Sequence, residues 1–179
     1  MMTYSSQVAT SAYELKYPQY QELSRSIVAS PAGYLTIFAS DDAVKAIDFT
    51  STHPQENENQ ISSLAASQLK EYIAGARKEF DLPLDPEGTA FQKSVWQQLI
   101  QIKYGELASY LDIAKAIGNV KACRAVGAAN GRNPIPIVIP CHRIIGSNGK
   151  LTGYAGGLER KSYLLALESK ENSETFSLT

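Results

Sequence analysis

The chain is poor in the residues that build disulfide scaffolds and metal centres. Its 179 residues include two cysteines and two histidines. Cys123 and Cys141 alone supply neither a disulfide framework nor a zinc-ligand set, so no metal is expected. A reducing, cytoplasmic setting is the expectation. Long apolar runs are also missing. None approaches the roughly 18 residues a membrane span needs, which excludes a membrane partner of that kind. Met1 to Tyr20 is polar and tyrosine-rich and lacks the apolar core of a signal peptide, which argues against export. Net charge is −1, so bulk charge alone gives no reason to invoke nucleic acid. The 44% apolar and 20% charged content is that of a globular protein. The length suits one domain or two small ones.

The small net charge hides a segregation. Residues 1–85 carry six positive and eleven negative side chains, whereas residues 86–168 carry ten positive and five negative. A basic second half suggests a polyanion site there. Chance segregation of solvated charges is the competing explanation.

The first half reads as short strands over Ser26–Ser30, Gly33–Ser40 and Ala43–Thr50, with turns at Pro31-Ala32-Gly33 and Asp41-Asp42. His53–Gln60 is a polar loop in which His53 stands alone. Ile61–Ala74 has helical apolar spacing and stops at Gly75. Phe80–Leu84 is a further expected strand. This half, residues 1–85, carries no catalytic cluster and reads as a structural α/β domain. Two prolines and a glycine in Leu82–Gly88 mark a linker.

Residues 86–168 form the second expected domain. Thr89 and Gln92 fit a capping box, starting a helix whose face includes Phe91, Val95, Trp96 and Leu99. Tyr104-Gly105-Glu106 breaks it. Ser109 and Asp112 start another helix, which stops at Gly118-Asn119. Asn119 is expected to cap a third, Val120–Ala129. Two short helices joined by a glycine-containing turn match a helix-turn-helix. The third helix is rich in alanine, with Lys121 at its start and one long cation, Arg124, in its body. Few of its side chains could read base edges. Such a helix suits close, sequence-tolerant approach to a nucleic-acid backbone, or tight packing against its neighbours. Leu158–Glu168 reads as a last helix, and residues 169–179 as a polar, mobile tail.

Ile135-Pro136-Ile137-Val138-Ile139-Pro140-Cys141-His142-Arg143 is the stretch that carries chemistry. Its prolines disfavour a helix, and its β-branched residues fit a buried strand or extended segment. Cys141 then lies beside two potentially cationic groups, His142 and Arg143. That setting is expected to lower the thiol pKa. A cysteine packed in the core is the alternative. Downstream, Gly153-Tyr154-Ala155-Gly156-Gly157 is a loop able to bring backbone amides and one ring close to a flat ligand.

These pieces together resemble the O6-alkylguanine-DNA alkyltransferases. The resemblance runs from about Gly88 to Glu168. It rests on Gly88-Thr89-Ala90-Phe91-Gln92, Ser109-Tyr110, Arg124-Ala125-Val126-Gly127, Asn133-Pro134, Ile139-Pro140-Cys141-His142-Arg143 and Gly153-Tyr154-Ala155-Gly156-Gly157-Leu158. It implies an α+β chain: a small ribonuclease-H-like antiparallel domain followed by a mostly helical domain with a helix-turn-helix. It implies stoichiometric, irreversible alkyl transfer from O6-alkylguanine, and from O4-alkylthymine, to Cys141, with no cofactor. The nucleotide would be flipped out through the minor groove. By the same resemblance Arg124 fills the space it leaves, and Ala125, Gly127 and Ala129 lie on the DNA-facing helix. Tyr110 rotates the adjoining phosphate and assists proton transfer to the departing guanine. Tyr154 and Pro136 wall the pocket, with backbone groups near Ile144, Ala155 and Gly156 reading the base. His142 takes the thiol proton through a water, Glu168 orients the imidazole, and Asn133 braces the loop. The implied partner is duplex DNA bearing alkylated guanine, met by a monomer that can cluster along it. Family members that bind zinc do so through N-terminal cysteines and histidines, of which this half has only His53. A helix-turn-helix regulator, or a cysteine hydrolase or redox sensor, are the rival readings.

Overall fold

A computed structural model describes residues 18–51 and 55–176, with side chains described to Ser169. His53 and most of the tyrosine-rich N-terminal segment lie outside the described residues. The chain is a small antiparallel sheet followed by a helical half. Strands β1 (Ser24–Ser30), β2 (Gly33–Ala39) and β3 (Val44–Thr50) form a meander in the order β1-β2-β3. The alternation of Leu35 and Ile37 with Thr36 and Phe38 puts apolar residues on both faces of β2, and all four are buried. One face packs on helix α1 (Gln60–Ile73), where the Ser26 and Ser62 hydroxyls pair at 2.8 Å. On the other, Phe38 and Ala46 meet Tyr20.

Asn59 caps α1 through a box closed by Ser62. Phe80–Leu84 is not a strand. Its single proline, Pro83, leaves one parallel bridge, Leu84 to Val44, made by Val44 N–H to the Pro83 carbonyl and Asp85 N–H to the Val44 carbonyl. A proline cannot donate to a ladder, which explains why the pairing stops.

The second half contains α2 (Ala90–Ile100), α3 (Tyr110–Ala116), α4 (Cys123–Gly131) and α5 (Leu158–Phe176). The Thr89–Gln92 and Ser109–Asp112 capping boxes both form. Asn119 does not cap α4. That helix starts at Cys123, three residues later than Val120, after a turn closed by Ala122 N–H on the Asn119 carbonyl. No side chain caps it. Trp96 of α2 donates its indole N–H to the Ala129 carbonyl at 2.8 Å and so ties α2 to α4. Gly88 has no alternative here, because a Cβ would lie 2.5 Å from the indole ring. Strands β4 (Ala108–Ser109) and β5 (Ile144–Ile145) pair in parallel. The last helix runs on to Phe176, so the expected tail is helical over most of its length. The described residues contain no helix long and apolar enough to cross a membrane.

The halves meet along β3. The Ile47 amide donates to the Pro134 carbonyl at 2.9 Å, which places the sheet edge beside the segment leading to Cys141.

Candidate active site

The Ile135–Pro140 segment is a buried turn, not a strand. Pro136 and Ile139 form a bridge, and the Ile139 amide returns to the Ile135 carbonyl at 2.9 Å. Ile137 sits between them at φ 72°, buried. A β-branched residue in that region is strained and is held there by its surroundings. Asn133 supplies part of the restraint. Its amide donates to the Ile139 carbonyl at 2.7 Å, and its oxygen accepts from the Ile135 amide at 3.0 Å. The turn delivers Cys141 at the head of a 3-10 helix, Cys141–Arg143. Asn130 of α4 donates to the Cys141 carbonyl at 3.4 Å.

Cys141 is 4% exposed but lines a cavity of about 370 Å³. That volume lies within the ~300–1,000 Å³ of small-molecule sites. Tyr154, Ala155, Gly156, Pro136 and Asn133 line it too, and so do Ile47 and Phe49 of β3. Ile144 does not. It is fully buried behind the site, its amide bonds to the Cys141 carbonyl, and its carbonyl accepts from Lys161. Burial pushes the thiol up to about 11, against smaller opposing effects of Asn133 and Lys161. The expectation of a lowered pKa is therefore reversed, and for two reasons. Desolvation outweighs nearby charge. Moreover, Arg143 points elsewhere: its guanidinium bonds to Glu168 and to the Ile102 carbonyl.

Glu168, on α5 and 1% exposed, gathers these groups. His142 Nε2 lies 2.7 Å from Oε1, Arg143 Nη2 2.9 Å from Oε1, and Arg143 Nε 3.0 Å from Oε2. The Tyr72 hydroxyl of α1 donates to Oε1 at 2.8 Å. Burial alone would raise the carboxyl. The bonds from His142 and Arg143 prevail and hold it at about 2. A charged carboxylate fixes the His142 tautomer with Nε2 as donor. Nδ1 is then the basic nitrogen, and it is buried without a protein partner. Desolvation keeps the His142 pKa below its usual value, so the ring is neutral at pH 7.

Lys161 is fully buried and donates to the Ile144 carbonyl and, at 2.8 Å, to that of Thr152. It pins β5 to the loop that follows. Tyr154 has a buried hydroxyl with no hydrogen-bond partner of ordinary length. Burial raises its pKa, and the neighbouring Cys141 adds to this. Tyr110 opens α3, where its hydroxyl meets that of Thr152 at 3.1 Å. Its ring lies over Gly127, 3.7 Å from where a Cβ would stand. On α4, Arg124 and Ala125 are exposed and Gly127 is half-buried. Ala129 is not on that face. It is 2% exposed, turned inward toward Trp96. Ala128 takes the exposed position.

Tyr72, Lys161 and Asn130 are given no site role by the sequence reading. Tyr72 sits at an apolar position of α1, where a tyrosine looks like core. One lysine on the last helix looks solvated. For Lys161 a signal existed: it falls three residues before Leu164, on the buried stripe of α5.

This geometry has relatives. Residues 90–170 match the 6-O-methylguanine DNA methyltransferase DNA binding domain, and residues 23–86 match the ribonuclease-like domain of the same family. A methylated-DNA–protein-cysteine methyltransferase of Methanosarcina acetivorans is 50% identical over 151 residues, 80% of this chain and 96% of the relative. The constitutive methyltransferase of Bacillus subtilis is 47% identical, over 78% of this chain and 91% of its own length. Among solved structures, the Mycobacterium tuberculosis O6-methylguanine methyltransferase superposes with a TM-score of 0.76 at 43% identity, covering 83% of this chain and 93% of that one. The same organism's OGT in complex with DNA gives 0.75 at 45% identity, over 80% and 91%. The chain belongs to the 6-O-methylguanine DNA methyltransferase family.

Proposed function

We propose that this chain repairs DNA by moving an alkyl group from O6 of guanine, or O4 of thymine, to its own Cys141. One observation carries the reading: Cys141 stands at the wall of a cavity able to hold a nucleobase, one residue from a histidine locked to a buried carboxylate. Duplex DNA keeps its modified oxygen inside the stack, so the nucleotide must be extruded into that cavity. The exposed face of α4, with Arg124, Ala125 and Ala128, is small enough to enter a minor groove, and Arg124 fills the gap left in the stack. Gly127 lets α4 lie close to Tyr110, which turns the neighbouring phosphate and helps return a proton to the base.

A thiol held near 11 is almost wholly protonated at pH 7. It needs a base at the moment of attack. His142 Nδ1 accepts the proton through a water, and the Glu168 carboxylate stabilises the imidazolium that results. Cys141 Sγ then forms a bond to the alkyl carbon. The bond from that carbon to the guanine oxygen breaks, and its electron pair stays on the base. The product is a thioether, which water does not cleave, so each chain reacts once.

Residues 86–168 form the alkyl-transfer part and residues 1–85 support it, with Ile47 and Phe49 completing the cavity wall. The chain acts as a monomer and can cluster along DNA. It works in the cytoplasm, where its two unlinked cysteines stay reduced. The test is to mix the protein with duplex DNA bearing O6-methylguanine and weigh it. One added methyl per chain, on Cys141, is expected, with no second turnover. Repeated ester hydrolysis, or an unchanged mass, would overturn the reading.

A further inference from the structure

The cavity loop is tied to the first half of the chain by one side chain. Arg160, three residues past the end of the Gly153–Gly157 loop, reaches back along the chain and across the domain boundary. Its Nη1 donates to the Gly156 carbonyl at 3.2 Å. Its Nε donates to the Ala32 carbonyl at 2.8 Å, in the turn between β1 and β2. The guanidinium lies over the Phe49 ring, 4.7 Å from its centroid. Gly33 makes room for it: at φ 111° a Cβ there would stand 3.2 Å from Nη2. Phe49, Gly156 and Arg160 all line the Cys141 cavity.

We infer that Arg160 is a positioning residue for alkyl transfer, which latches the cavity loop to the β1–β2 turn and so fixes the wall against which the extruded base is held. Three separate contacts converge on one planar group, and each suits a guanidinium. Two carbonyls accept from different nitrogens, and a ring accepts the flat face. A lysine's ammonium can donate to two carbonyls, but it offers no flat face to the Phe49 ring and no second nitrogen at the guanidinium's spacing. Neither carbonyl belongs to a charged group, so the latch is geometric and not an ion pair. It gives the first half a share in the chemistry, because the loop's position depends on a turn 128 residues before Arg160. A loop that wanders by an ångström leaves the base out of line with Cys141 Sγ and slows attack without weakening the grip on the duplex.

This inference rests on the alkyl-transfer reading. Its test uses Arg160→Met, which keeps the stem and contact with Phe49 but removes every donor, and Arg160→Lys. Single-turnover methyl transfer is followed over a range of duplex concentrations, alongside thermal unfolding and the rate at which iodoacetamide modifies Cys141 in a Cys123→Ser background. In both variants the limiting transfer rate is expected to fall roughly ten- to hundred-fold. The half-saturating duplex concentration, the iodoacetamide rate and the melting temperature should stay close to those of the parent. An unchanged limiting rate in Arg160→Met overturns the inference and leaves the alkyl-transfer reading standing. So does full activity in Arg160→Lys, or a loss of transfer matched by equal losses in thiol reactivity and melting temperature. Absence of transfer by the unsubstituted chain overturns both.

Discussion

The Tyr72 hydroxyl donates to Glu168 Oε1 at 2.8 Å, joining residues 96 positions apart. Tyr72 belongs to the helix that covers the N-terminal sheet, and Glu168 to the last helix. The same oxygen meets His142 at 2.7 Å. The first half of the chain therefore supplies a donor to the carboxylate that orients the histidine. Burial raises the phenol pKa, and the adjacent carboxylate raises it further, so the hydroxyl stays a donor throughout the physiological range.

Tyr72→Phe removes that donor and little else. Hydrogen bonds to charged groups contribute about 2 kcal/mol. The loss should appear as a lower urea midpoint at unchanged slope. Methyl transfer should slow only severalfold, because Arg143 still holds the carboxylate in place. A midpoint equal to that of the parent would mean that the bond contributes nothing in solution.

The carboxylate network also predicts an acid limb of stability. Glu168 is lowered from 4.5 to about 2. Its contribution is complete above the unfolded value and is lost as pH falls toward the folded one, and it is on the order of 3 kcal/mol. His142 is also lowered, from 6.5, by burial. The unfolded chain binds that proton first, so His142 begins to erode stability already below about 6.5. Denaturation free energy should thus decline in two stages between about pH 7 and pH 3. Glu168→Gln should abolish the lower stage. It should also lower stability at neutral pH by about 3–5 kcal/mol, since Arg143 is left buried without its counter-charge.

Local chemistry was legible in this sequence and tertiary consequences were not. Thr89 with Gln92, and Ser109 with Asp112, announce helix starts because each box is closed within four residues. The three strands of the meander are similarly local. The proline-rich run before Cys141 was misread because β-branched residues suggest a strand. Asn133 and the Ile139–Ile135 bond instead fold it into a turn that forces Ile137 to positive φ. The thiol was misread because sequence adjacency of His142 and Arg143 does not say where their charges point. Both face Glu168, and the 4% exposure of Cys141 then decides its pKa. Ala129 was named by resemblance for the DNA-facing helix, whereas it lies on the buried side of that helix, where its carbonyl accepts from Trp96.

A thiol held near 11 has a measurable signature. In a Cys123→Ser background, modification of free protein by iodoacetamide should be slow at neutral pH. It should then climb by roughly tenfold per pH unit without a plateau below about pH 10, because the reactive thiolate fraction grows in that proportion. Transfer from methylated duplex should lack this steep rise if, as proposed, His142 accepts the proton within the complex. A plateau in the iodoacetamide profile near neutral pH would show instead that the thiolate is already formed in the free chain.

The role proposed for Arg124 lies in extrusion and not in the chemistry. Its side chain is exposed on a helix whose other exposed residues are Ala125, Ala128 and Gly131, so it alone there is long enough to occupy a vacated place in a base stack. Turning a base out forfeits a few kcal/mol of stacking and pairing. A side chain that fills the gap offsets part of that loss, and each 1.4 kcal/mol it offsets is about tenfold in rate. Arg124→Ala should accordingly reduce transfer from duplex DNA by one to two orders of magnitude. A free O6-methylguanine base has no duplex to open before it reaches the cavity. Its reaction with Arg124→Ala should match that of the parent chain, because Arg124 is not among the residues lining the Cys141 cavity. Equal losses on both substrates would instead place Arg124 in the structural support of Cys141. No loss on either would remove it from the extrusion step.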